Sequence, residues 1–202
     1  MIYMSTPWGS ADQRIEVAEG IVRFYTPSHG GYWLSKERVA TMPGVLRRAT
    51  RDLSRCDGGW YEEDCEWCFV ALSFPQYFSA DDLEAADKTM RDWHPDVWEV
   101  FRGVTLLPGQ SAQKDEQAFL SKHSGDQIVI AAFGSWAEGV PDGLVGVMAT
   151  LGGDRSESAR RSATWWLVPE AEYNSRRFAF VIDPARHQKI TPLTGESARK
   201  NK

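Results

Sequence analysis

No run in this 202-residue chain approaches the roughly 18 consecutive apolar residues of a membrane span. The opening Met1-Ile2-Tyr3-Met4-Ser5-Thr6-Pro7-Trp8-Gly9 lacks the basic-then-apolar layout of a signal peptide, so a cytoplasmic protein without a membrane partner is expected. Cysteine is scarce: three residues, an odd number, exclude a disulfide framework as the organising device. There is no P-loop and no Gly-x-Gly-x-x-Gly after a strand-like segment, which removes the usual signatures of a nucleotide site. Gly30-Gly31, Gly58-Gly59 and Gly152-Gly153 read as turns, because paired glycines supply positive φ. Internal repeats and low-complexity tracts are also missing.

Tryptophan is plentiful, with nine copies, and acidic charge is unevenly spread. Between Asp57 and Glu99 twelve carboxylates face only Lys88 and Arg91, while the second half of the chain is slightly basic. A block of that sign repels nucleic acid and attracts basic surfaces, including those of proteins that themselves bind nucleic acid. Direct nucleic-acid binding is therefore not expected. Arg160-Arg161 and Arg176-Arg177 are small basic spots on expected loops, read as solvated surface.

Periodicity predicts an α+β fold, with a helix-rich acidic N-terminal half carrying a short β-hairpin and a C-terminal antiparallel β-meander. The hairpin falls at 14–26 around Glu19-Gly20. Helices are expected from Ser35 to Val39, from Pro43 to Leu53, from Tyr61 through Leu72, from Asp81 to Trp93 and from Gln113 to His123, with a short turn at Val97–Phe101. Strands are expected at Gln127–Phe133, Gly143–Leu151, Ala163–Val168 and Phe178–Ile182, with a helical turn at 169–173. Leu107 to Ala112 reads as a linker, which divides the chain into an acidic region at 1–106, a β-rich region at 113–192 and a flexible tail at 193–202, unless the first two form one continuous domain.

The centre of the chain is Trp60-Tyr61-Glu62-Glu63-Asp64-Cys65-Glu66-Trp67. Its acids are expected in the first turns of a helix, where the helix dipole favours negative charge. Cys65-x-x-Cys68 could join Cys56 and His29 around zinc, but no second Cys-x-x-Cys or His-x3-His exists; both thiols read better as small buried hydrophobes. His29 with Cys65 is the minimum for a cysteine nucleophile, yet four adjacent carboxylates disfavour the thiolate. A divalent ion held by His29 or His94 with Glu62, Glu63, Asp64 or Asp96 matches no metal-binding spacing, so no cofactor is expected.

Thr6-Pro7-Trp8-Gly9, Thr26-Pro27-Ser28-His29-Gly30-Gly31-Tyr32-Trp33-Leu34-Ser35 and the Trp60–Trp67 segment together resemble an uncharacterised bacterial domain family of phage, plasmid and mobile-element genes. Trp93-His94-Pro95-Asp96 and Phe180-Val181-Ile182-Asp183-Pro184-Ala185-Arg186-His187 are similar to later segments of longer members. The resemblance carries no assigned activity. It implies a mobile-element setting, where accessory proteins often block host defence.

The resulting expectation is a non-enzymatic accessory protein that binds and inhibits a host defence nucleoprotein complex, a CRISPR or restriction system. Glu62, Glu63, Asp64, Glu66, Asp81, Asp82, Glu84 and Asp87 would meet its basic surface, with Trp60, Trp67, Trp93 and Trp98 as nearby anchors. One alternative is a small hydrolase-like enzyme using His29 with Cys65 or the Glu62–Asp64 carboxylates. Another is a structural or assembly protein, a homodimer joined through exposed tryptophan.

Overall fold

The structure, a computed structural model, describes residues 5–53 and 59–193, the side chains of 51–53 excepted. Cys56, Asp57, Gly58 and the tail from 194 lie outside the described residues. The fold is α+β and divides into two compact units, 1–115 and 116–202.

The first unit opens with a two-stranded ribbon, β1 (Ser5–Thr6) against β2 (Gly9–Ser10). An antiparallel sheet follows in the order β3 (Gln13–Ala18), β4 (Ile21–Tyr25), β5 (Gly30–Leu34) and β6 (Trp60–Glu62). The β3–β4 hairpin turns at Glu19-Gly20, where Gly20 takes a φ of +72°, a conformation that side chains resist. Between β5 and β6 lie α1 (Lys36–Thr41) and α2 (Gly44–Leu53). Ser35 caps α1, its hydroxyl accepting from the Arg38 amide at 3.3 Å.

After β6 come α3 (Trp67–Ser73), α4 (Ala80–Trp93) and α5 (Pro95–Arg102). Cys68, Phe69, Val70 and Ala71 are all buried, so α3 runs through the middle of the core rather than along its surface. Ile21, Leu34, Leu46, Tyr61, Phe74 and Met90 pack around it. Ser79 and Asp82 form a reciprocal capping box at the start of α4. The expected turn at Val97–Phe101 is a full helix instead, because Pro95 sits at its first position, where a missing amide costs nothing. The next helix, α6 (Ala112–Lys122), begins one residue before the expected Gln113 and runs across the boundary between the two units.

The expected helix from Tyr61 is the main correction. Trp60, Tyr61 and Glu62 pair with Trp33, Tyr32 and Gly31 as strand β6, and the helix starts only at Trp67. The Tyr61/Cys65/Phe69 spacing imitated a helix, but a ready sheet edge satisfies the strand's amides and buries Tyr61 against Leu46 and its neighbours. Glu62 is thus a strand residue, and Glu63 to Glu66 form the turn that follows.

The second unit is an antiparallel sheet in the order β10-β9-β8-β7, built from β7 (Gln127–Phe133), β8 (Leu144–Leu151), β9 (Thr164–Pro169) and β10 (Gln188–Ile190). Two short helices interrupt it, α7 (Glu157–Arg161), which carries Arg160-Arg161, and α8 (Glu170–Asn174), on the expected turn. Val129, Val147, Ala149, Trp166, Val168 and Phe180 fill one face, and Leu167 turns to Ala137 and Val140 on the other, following the two-residue period of a strand. Phe178–Ile182, expected as a strand, makes only an isolated bridge, Val181 to Ile128. The strand that closes the other side is β10, whose polar Gln188-Lys189 gave no hydrophobic signal.

Candidate functional site

Two Thr-Pro turns place the first residues of the site by the same device. The Thr6 hydroxyl donates to the Gly9 carbonyl at 2.8 Å and accepts from the Trp8 amide at 3.2 Å. The Thr26 hydroxyl donates to the His29 carbonyl at 2.7 Å and accepts from the His29 amide at 3.1 Å. Proline at the second position of each turn fixes φ, so each threonine braces a preformed bend. One bend presents Trp8 and the other presents His29.

Gly30 and Gly31 are not turn residues. Both lie within β5, and neither has positive φ. They are glycines because other groups occupy the space of a side chain. A Cβ on Gly31 would sit 2.3 Å from both Cη2 of Trp8 and the carbonyl oxygen of Tyr61. One on Gly30 would sit 2.5 Å from Oε2 of Glu63. The bare strand therefore lets an indole and a carboxylate close down on the sheet. Trp8 is held edge-on to Trp60, ring centroids 5.7 Å apart, and Trp60 leans on Phe24 at 5.3 Å.

Around this floor the turn after β6 gathers its acids. Glu63 donates its amide to the Gly30 carbonyl at 3.1 Å, and its Oε1 lies 3.4 Å from Nδ1 of His29. Glu62 turns inward to the turn it begins, accepting from the amides of Asp64 at 2.8 Å and Cys65 at 3.2 Å and from the Cys65 thiol at 3.2 Å. Burial pushes the Glu62 carboxyl up, but these donors outweigh it and hold the group below the usual carboxylate range. Asp64 moves the other way. The hydrogen bond it shares with Glu62 and the repulsion between the two carboxylates raise it. Glu66 accepts from the Glu62 amide at 3.2 Å, and burial raises its carboxyl.

Cys65 sits within this ring of acids. Burial, then the hydrogen bond to Glu62 and the charges of Glu62, Glu66 and Asp64, push its thiol up to about 12. A nucleophilic cysteine needs the opposite setting. The thiol faces Glu62, whereas the His29 ring faces Glu63. Cys68 is fully buried and donates to the Cys65 carbonyl at 3.1 Å, and burial raises it too. His94 closes the underside: its Nε2–H donates to the Cys65 carbonyl at 3.1 Å, its ring packs on Phe69 at 4.8 Å, and burial lowers its pKa.

The site thus joins Trp8, His29, Glu62, Glu63 and Asp64, with Cys65 and His94 beneath. One ligand atom each from His29, Glu62 and Asp64 lies within 4.8 Å of the others. Asp96 is committed elsewhere, pairing with Lys114 at 3.2 Å. Among the acids expected to dock a partner, Asp82 caps α4, and Asp87 pairs with Arg91 and Arg102 and accepts from the Trp98 indole at 2.9 Å. Asp81 and Glu84 are exposed on α4. Of Trp60, Trp67, Trp93 and Trp98, only Trp93 is exposed, at 60%. Trp8, Thr26 and the Glu62 clamp were given no role by sequence reasoning; the twice-used Thr-Pro start was the signal that could have found the first two.

Fold and site together define a two-unit α+β protein with a histidine–carboxylate cluster at one sheet edge. Residues 2–124 match the domain of unknown function DUF7007, and the chain belongs to that family. No curated protein and no solved structure matches it.

Two outcomes follow from this geometry. Gly31→Ala should cost about 1–3 kcal/mol of stability, since neither the Tyr61 backbone nor the packed indole can withdraw freely; thermal unfolding and tryptophan fluorescence would show it. Glu62→Gln should speed alkylation of Cys65 by iodoacetamide near pH 8, because the hydrogen-bonding carboxylate that disfavours the thiolate is gone. Residue-resolved mass spectrometry reads this, and unchanged Cys65 kinetics would refute the assignment.

Proposed function

We propose that this protein is a non-catalytic binding protein whose acidic cluster meets a basic, nucleic-acid-binding surface on a partner. The observation that carries this reading is the crowding of Glu62, Glu63 and Asp64 at the end of β6 and the start of the turn after it. Among the described residues, His29 is the only basic side chain in ion-pair range of them. The hydrogen bond shared with Glu62, and then the repulsion between the two carboxylates, raises the Asp64 carboxyl, and an external cation would offset that repulsion. Arginines or lysines that otherwise grip phosphates supply such a cation. Asp81 and Glu84 are also exposed, in the first turns of α4, while Glu62, Glu66, Asp82 and Asp87 serve mainly to hold their own segments. The partner we propose, following the resemblance to mobile-element proteins, is a host defence complex of the CRISPR or restriction type.

The combined variant Glu63→Gln, Asp64→Asn, Asp81→Asn, Glu84→Gln should keep the fold and lose the partner. Pull-down from a host carrying CRISPR and restriction systems should recover a nucleoprotein complex with the natural protein, more weakly as salt rises. Phage plating on that host should rise with the natural protein and not with the variant. A folded variant that still protects phage would sink the proposal.

A second reading has its own observation, the mutual 4.8 Å reach of His29, Glu62 and Asp64. Imidazole with two carboxylates is a donor set for a divalent ion such as Mn2+ or Zn2+. Calorimetric titration separates the two readings. Saturable 1:1 uptake of either metal, lost in His29→Ala, supports the metal centre; no uptake leaves the basic partner as the cation.

A further inference from the structure

In the second unit β7 ends the sheet, and its outer edge is only half covered. Val129 donates to the Phe180 carbonyl at 2.9 Å and Ile182 donates to the Gln127 carbonyl at 2.8 Å, so the segment 180–182 pairs with the first part of β7. Beyond it, no described strand pairs with Ile130–Phe133 on that side. A hollow of about 300 Å3 opens there, lined by residues 129–132, by Phe178 and Tyr173, and by Arg155 and Arg176. Arg155 donates from Nη1 to the Ile130 carbonyl at 3.2 Å, where an added strand would place its own amide. The guanidinium carbon of Arg176 sits over Tyr173, 3.8 Å from the ring centroid, and Arg176 donates from Nη1 to the Tyr173 carbonyl at 2.7 Å. Neither arginine has a carboxylate partner among the described residues; Glu116 also lines the hollow and trims the positive charge without removing it.

We infer that Ile130–Phe133 is a strand-addition site for an extended peptide segment carrying an acidic side chain. An open edge is a template for pairing, and a side-chain donor on one of its carbonyls is a placeholder that an incoming amide can displace. On binding, the peptide amide takes the Ile130 carbonyl, and Arg155 turns with Arg176 to the acidic side chain in the hollow. Two guanidiniums select carboxylate over ammonium, and Phe178 and Tyr173 cover its aliphatic stem. This surface is separate from the acidic cluster and has the opposite preference.

The probe is a fluorescein-labelled pentapeptide, Thr-Val-Glu-Val-Thr, titrated against the full chain by anisotropy. Saturable binding should weaken about tenfold or more when Lys replaces Glu, or in the Arg155→Ala, Arg176→Ala double variant. Binding should also fail when alternate peptide amides are N-methylated, a control that needs no protein variant. Hydrogen exchange should slow at Ile130–Phe133 when the natural peptide is bound. Absence of saturable binding, equal binding of the Lys peptide, or equal binding of the N-methylated peptide would each overturn the inference.

Discussion

Two glycines without side chains govern the first unit. Gly30 and Gly31 leave a bare stretch of β5, and the carbonyl of Tyr61, the edge of Trp8 and the carboxylate of Glu63 all come within 2.5 Å of where a Cβ would lie. The pairing of β6 with β5, the seating of the N-terminal ribbon and the placement of the acidic turn all use that same gap. Any methyl there would have to displace backbone or a packed indole. Such overpacking is costly because a close-packed interior has no slack to absorb it. The site and the fold therefore share one constraint.

The acidic turn is the electrostatic consequence. Glu62 is satisfied, since two amides and a thiol donate to it. That satisfaction fixes a carboxylate beside Asp64, which is left to share a hydrogen bond with a like-charged neighbour. For an acid whose folded value is raised, protonation favours the folded state, and stability from this group declines as pH rises through its folded value. The same hydrogen bond lowers Glu62, so the two shifts oppose each other within the pair. Burial, the hydrogen bond to Glu62 and these charges hold Cys65 as a thiol, which makes the cysteine a hydrogen-bond donor in the turn rather than a reagent.

Much of the fold was legible from sequence wherever one local rule dominated. Ser35 capping α1, Asp81-Asp82 opening α4, and the alternating apolar residues of β7 to β9 all rest on local chemistry, and they stand as read. The failures lie where a distant partner decides. Tyr61 has helical spacing to Cys65, but its amide pairs with β5, a strand 27 residues or more upstream. Gly30-Gly31 looks like any glycine turn, because sequence shows the missing side chains and not what fills their place. β10 owes its place to β9 and not to its own polar residues.

The candidate site was legible in its parts and not in its wiring. His29 and Glu62 to Asp64 stand out by residue type, but residue type does not say which of them meet. Spacing leaves His29 open to Cys65 or to any of the carboxylates, and the structure sets it against Glu63. The reason is register. β6 pairs Glu62 with Gly31, so the turn that begins at Glu63 rises over Gly30 and delivers its carboxylate to the histidine one residue earlier. Cys65, two residues further on, is already under Glu62 and above His94. A one-residue slip in that pairing would send Tyr61 outward and Glu62 into the core, which its charge forbids. The burial of Tyr61 therefore sets the register, and the register brings His29, Glu62, Glu63 and Asp64 together.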